Sequence, residues 1–176
     1  MREPYSEVTA DYELWSCQDI DSTEDEVIEL VGSLVRAMKP RLCVEVGSHV
    51  GLSSFEIGRA LERNGRGHLH CFESTPQAAR AVRERTAGLP VTVHPMTDLR
   101  FDPSELPGRV DFLFVDGDLD NRGASMNHWR DSLSENHVVA VHDSLKHWEV
   151  RQSIETAGFS ERLDIVTPRG ISLLRF

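Results

Sequence analysis

VEVGSHVGLSS, Val44 to Ser54, decides how the rest of this chain is read. β-prone residues enclose one acid, Gly47 breaks the run, Gly51 follows four residues later, and Ser53-Ser54 open a helix-like stretch. Strand, turn and helix start in that order make a backbone that holds a ligand at the strand's end. The question is whether it holds phosphate, a nucleoside or nothing.

Outward from this stretch, strand and helix patterns alternate. Upstream, Val27, Leu30, Val31, Leu34, Val35 and Met38 recur at helical spacing, predicting a helix over 23–38. Ser22 or Thr23 is its expected cap, Glu24, Asp25 and Glu26 suit the positive end of its dipole, and Pro40 ends it. RLCVEV (41–46) reads as a strand, 53–64 as a helix, GHLHCFE (67–73) as a strand and 76–86 as a helix with proline in its first turn. PVTVHP (90–95) and VDFLFVDG (110–117) are strands, 125–133 a helix, HVVAVHD (137–143) a strand, and 148–157 a helix stopped by Gly158. Such alternation predicts a parallel sheet covered by helices on both faces. ERLDIVT and GISLLRF are strand-like, with only a short turn around Pro168, Arg169 and Gly170 between them. So short a link permits only an antiparallel pair, so one strand near the end is reversed.

Composition narrows the class. A chain of 176 residues is expected to form one main domain, 23–176, preceded by an acidic segment, 1–22. Residues 1–29 hold ten acids and one base, a sum of −9, so the net charge of −10 leaves the remaining 147 residues at −1. With no basic stripe to neutralise a phosphate backbone, no nucleic-acid partner is expected. No apolar run approaches the roughly 18 residues of a membrane span, and the N-terminus lacks the pattern of a signal peptide. Cys17, Cys43 and Cys71 are odd in number and lack CxxC spacing, which argues for free thiols in a reducing cytoplasm. The acidic segment reads as solvated, or as a cap over an active site.

In open α/β sheets the ligand lies at the carboxyl ends of the strands. Those ends read Gly47-Ser48-His49-Val50-Gly51, Glu73-Ser74, Met96-Thr97-Asp98, Asp116-Gly117-Asp118 and His142-Asp143-Ser144. Glu73 stands where nucleoside-binding sheets place an acid on ribose hydroxyls. A dinucleotide fingerprint needs GxGxxG against a pyrophosphate, but the spacing here is GxxxG, and no Lys or Arg occurs between Arg41 and Arg59. Glu45, Glu73, Asp98, Asp116 and Asp118 make the rim acidic, which suits a cationic ligand. S-adenosylmethionine has that chemistry: its carboxylate suits the amides and hydroxyls at Ser53, and its ammonium the Gly47 carbonyl and Asp116.

VEVGSHVGLSS, HCFES, VDFLFVDGD and VVAVHDS, in that order and spacing, resemble the class I S-adenosylmethionine-dependent methyltransferases. The likeness is to the catechol-type and natural-product sugar O-methyltransferase group, over residues 23–176. It implies an α/β fold: a Rossmann-like three-layer α/β/α sandwich on a mostly parallel seven-stranded sheet, with one antiparallel strand in the C-terminal hairpin. It implies cofactor-binding roles for Glu45, Gly47, Ser48, Gly51 and Ser53 on the methionine side, Glu73 and Ser74 at the ribose, Met96 and Thr97 at the adenine, and Asp116 at the amino group. In metal-dependent members the acids after strands four and five hold a divalent cation, which points here to Asp116 and Asp143, although His142 in that pair suits Mg²⁺ poorly. Many relatives continue the strand-four motif with a histidine that removes the proton. Leu119 stands at that position, which leaves His142, with Asp143 or Asp118, as the catalytic candidate. The competing role for His142 is a histidine that only hydrogen-bonds the strand end.

The expected function is methyl transfer to a small-molecule hydroxyl. Two readings compete: a degenerate donor-binding module without catalysis, and an NAD-dependent oxidoreductase, which GxxxG and the reversed strand disfavour. So bare a core suggests that the acidic segment, or a second subunit of a homo-oligomer, completes the acceptor pocket. His128, Trp129, His147 and Trp148 are candidates for the acceptor side, with packing as the competing role.

Overall fold

The computed structural model describes residues 14–19 and 22–176. Seven strands form one sheet: β1 Leu42–Val46, β2 His68–Phe72, β3 Val91–His94, β4 Val110–Val115, β5 Leu133–His142, β6 Glu161–Ile165 and β7 Ile171–Arg175. Their order is β3-β2-β1-β4-β5-β7-β6. Every pairing among β1 to β5 is parallel, and β7 alone runs against both its neighbours, β5 and β6. Because β1 is flanked by β2 and β4, the switch in strand order falls at the tips of β1 and β4, where a crevice is forced open.

Two-residue alternation sorts the core onto the two faces. Cys43, Leu69, Cys71, Phe112, Phe114 and Ala140 pack with α1 (Asp25–Met38), α2 (Leu52–Asn64) and α3 (Pro76–Arg85). Val44, Val46, Phe72, Leu113, Val115 and Val139 pack with α4 (Arg122–Trp129) and α5 (Trp148–Thr156). Such two-sided burial accounts for the near-continuous apolar runs of these strands. Among the described residues no helix is long and apolar enough to cross a membrane.

Three expectations are corrected. The N-cap of α1 is Glu24, with no side-chain capping bond. Thr23 Oγ1 is drawn away to Asp116, and Ser22 Oγ to Asp19 at 2.7 Å. The segment before α1 supplies a substitute, since the Asp25 amide donates to the Ser16 carbonyl at 2.8 Å and the Ser16 amide to the Glu26 carboxylate at 3.1 Å. Secondly, α4 starts at Arg122, three residues before the expected start at Ser125, and passes after Trp129 into a 3₁₀ turn at Arg130–Ser132. Thirdly, β5 begins at Leu133, four residues early, because Leu133 pairs with Val110 across a register shift that hydrophobic patterning does not reveal. Of the acidic segment, residues 1–13, 20 and 21 lie outside those described.

Candidate functional site

A crevice of about 690 Å³ opens at the carboxyl ends of the parallel strands, a volume suited to a small ligand. Gly47, Glu73, Ser74, Met96, Thr97, Asp116, Asp118 and Asp143 from the residues singled out in the sequence line it, joined by Arg122 and Arg169.

At the β1 tip the two glycines have separate roles. Gly47 has φ 83°, and a Cβ there would come within 2.4 Å of Gly117 Cα. Only glycine permits the β1 and β4 turns to touch backbone to backbone. Gly51, also at φ 83°, faces α3, where a Cβ would meet Val82 Cα at 3.1 Å. Its role is to seat α2 and α3 together, and it does not line the crevice.

Glu45, Ser48 and Ser53 are likewise absent from the crevice lining. Glu45 is 0 % exposed and accepts from Ser48 Oγ at 2.8 Å and from Ser54 Oγ. Burial pushes its carboxyl above the ordinary range, and the serine hydroxyls only partly offset this. Its work is internal: it ties the turn after β1 to the first turn of α2. Ser48 and Ser53 instead line a hollow of about 40 Å³ with Thr23, which shares Gly47, His49 and Asp116 with the crevice.

Glu73 is held differently. Its Oε2 accepts the His49 amide at 2.9 Å and its Oε1 the Thr75 amide at 2.8 Å. Two backbone donors fix the carboxylate at the rim while each oxygen keeps a lone pair for a ligand. Beside it, Asp98 is buried and accepts the Trp129 indole N–H at 3.0 Å, which makes Trp129 a core support of the loop. None of His128, Trp129, His147 or Trp148 lines the crevice, and Trp148 is 67 % exposed.

The opposite end is a closed charge cluster. Asp143, 0 % exposed and at φ 61°, receives Arg169 Nε on Oδ1, Arg169 Nη2 on Oδ2 at 2.9 Å and Arg122 Nη2 on Oδ2 at 2.7 Å. Asp116 receives Arg122 Nη2 on Oδ1 at 2.9 Å and Thr23 Oγ1 on Oδ2. His142, also 0 % exposed, has Nδ1 2.9 Å from Asp116 Oδ1 and Nε2 2.6 Å from Glu24 Oε2. Burial alone would depress its pKa, but the Asp116 and Asp143 carboxylates prevail and hold it up at about 9. The imidazolium is thus the form at neutral pH. Three carboxylates (Glu24, Asp116, Asp143) meet three cations (Arg122, Arg169, His142).

This arrangement bears on two expectations. His142 does not line the crevice, and with both nitrogens engaged and protonated it has none free to accept a proton. Asp116, His142 and Asp143 offer ligand atoms within 4.8 Å of one another, a spacing that by itself suits a cation. The guanidiniums answer that demand, because Arg122 Nη2 bridges the two carboxylates, and a divalent ion does not fit between the same oxygens. The sequence reading missed Arg122 and Arg169. Arg169 was legible: the predicted hairpin turn puts it beside the strand that ends in Asp143.

Residues 44–144 match a family model described as a methyltransferase domain. No curated protein matches. Among solved structures, the fold is shared with the O-methyltransferase TomG of Streptomyces achromogenes, involved in tomaymycin synthesis and in complex with SAM (22 % identity, TM-score 0.76, 99 % of this chain and 90 % of that one). It is shared also with a SAH complex of the Bacillus cereus O-methyltransferase (18 %, 0.75, 100 % and 92 %). SAH-bound PaMTH1 of Podospora anserina is a third (14 %, 0.74, 100 % and 88 %).

Proposed function

The chain belongs to the methyltransferase-domain family, and we propose that it transfers the methyl group of S-adenosylmethionine to a hydroxyl oxygen of a small molecule. The observation that carries this reading is the Glu73 carboxylate, held by two backbone amides at the rim of the crevice that begins at Gly47. Such a group accepts from both ribose hydroxyls without rearranging. Met96, Thr97 and Ser74 border the adenosine, while Gly47 and the Asp116 turn face the amino-acid end. Glu45, Ser48, Gly51 and Ser53 hold that loop in shape behind the ligand. The fold neighbours crystallised with SAM or SAH support the choice of donor.

Transfer is an in-line displacement: an acceptor oxygen bonds to the methyl carbon, the carbon–sulfur bond breaks, and the sulfonium becomes a neutral thioether. Alignment supplies much of the rate. The acceptor's proton must leave, and among the described residues Asp118 is the crevice carboxylate whose side chain carries no bond, since Glu73 holds two amides, Asp98 the Trp129 indole, and Asp116 and Asp143 the arginines. We assign the proton to Asp118 in place of His142. The competing reading, a donor-binding module without turnover, predicts donor binding with no release of demethylated product.

Calorimetric titration with S-adenosylmethionine, its demethylated product and NAD tests the donor; binding of NAD alone would end the proposal. Release of demethylated donor in the presence of sugar, phenol or amine acceptors then separates enzyme from module.

A further inference from the structure

We propose that Arg122 is the resident cation of this site, its guanidinium standing where a divalent metal would bridge Asp116 and Asp143, so that the chain positions its acceptor without a metal. The inference rests on the methyl-transfer reading for its consequence, but its geometry stands apart from that reading.

Arg122 opens α4, is 3 % exposed, and donates to four acceptors: Gly117 O at 3.0 Å, His142 O, Asp116 Oδ1 at 2.9 Å and Asp143 Oδ2 at 2.7 Å. One nitrogen, Nη2, makes both carboxylate contacts, as a bridging ion would. Arg169 closes the other side by a bidentate grip on Asp143 and anchors itself on Ser22 O at 2.9 Å. A divalent ion would have to displace a planar fork already matched to its carboxylates. It would also have to desolvate beside two fixed guanidiniums, where repulsion is only weakly screened. His142, the third member of the triad, turns one nitrogen to Asp116 and the other to Glu24 and so has no lone pair aimed at a metal.

The consequence concerns specificity. A bound metal favours acceptors that chelate it through two neighbouring oxygens. A guanidinium at the crevice wall instead offers charge without open coordination positions, so chelation of a vicinal diol is not what selects the acceptor.

The test uses Mn²⁺ as probe on the whole chain, following free ion by electron paramagnetic resonance and stability by thermal denaturation. The wild type is expected to take up no stoichiometric Mn²⁺ and to show no shift in Tm with it. Arg122→Gln removes the bridge and leaves the carboxylates short of charge. That variant is expected to bind Mn²⁺ at least about tenfold more tightly and to regain Tm on its addition. Arg122→Lys keeps the charge and should still exclude the ion. One equivalent of Mn²⁺ on the wild type, abolished by Asp116→Asn, would overturn the proposal; so would equal Mn²⁺ uptake by the lysine and glutamine variants. If the glutamine variant does not fold, the wild-type and lysine results decide. Donor titration run alongside separates the two failures: a chain that excludes Mn²⁺ and also ignores S-adenosylmethionine refutes the function and leaves the cation assignment standing.

Discussion

Glu73 and Asp143 are both carboxylates one residue beyond the tip of a parallel strand, and both line the same crevice, yet they are held in opposite ways. Glu73 is half-buried and rests on two neutral backbone amides. Asp143 is fully buried and saturated by two guanidiniums. An amide orients a carboxylate without cancelling its charge, whereas a guanidinium cancels it. One end of the crevice is therefore kept in readiness for a ligand, and the other is neutralised from within. Ion pairs buried in this way are weak evidence for net stability, but breaking one is costly, because the partner stays behind without its counter-charge.

The sharpest way to break this comparison is Asp143→Ala, which takes from Arg169 its bidentate carboxylate and leaves Arg122 with Asp116 alone. Loss of about 3–5 kcal/mol is expected, or roughly 6–20 °C in Tm for a chain this size. A loss below about 1 kcal/mol would show that the cluster is not the structural end.

Titration probes the same end. The folded pKa of His142, about 9, lies above its ordinary value of 6.5, so the stabilisation is complete below pH 6.5 and is lost as pH rises through 9. On the order of 3 kcal/mol should disappear over that window, and the pH slope should vanish in His142→Gln. A flat Tm from pH 6 to 10 in the wild type would contradict the imidazolium assignment.

At the other end, Glu73→Ala should weaken donor binding by about 1.5–3 kcal/mol, roughly ten- to a hundredfold, in a calorimetric titration. The comparison is sharpened if Asp143→Asn changes stability more than donor affinity while Glu73→Ala does the reverse. The smallest effect belongs to Trp148→Ala. Exposed and off the crevice, it should alter stability by under about 0.5 kcal/mol and leave donor affinity unchanged. A clear loss of donor affinity in that variant would move the donor site toward α5.

Most of the fold was legible because strand and helix periods are local. The β1, β2 and β4 tips follow from apolar runs that end in glycine or acid, and the reversal of β7 from the shortness of the turn at Pro168. The start of β5 was not legible, since Ser134, Glu135 and Asn136 carry no apolar signal and join the strand through pairing that begins at Val110. In the site, Glu73 could be read from its place after a strand. The fate of His142 could not, because it depends on Glu24, 118 residues earlier, which folds onto the same spot from the start of α1. Reading the rim as acidic counted charges along the strand tips and left out the two arginines that arrive from α4 and from the hairpin turn. Bonds cross the expected boundary at residue 22, because Arg169 donates to the Ser22 carbonyl and Ser16 is tied to Asp25 and Glu26.

Gly47 and Gly117 leave no side-chain cushion between the first and fourth strand turns. One turn reaches the methionine end of the proposed donor site and the other carries Asp116. Rigid abutment makes them a single mechanical part, so a displacement on the acceptor side is handed to the donor side across one van der Waals contact. Linkage then requires the reverse, and each ligand should report the arrival of the other in its own affinity.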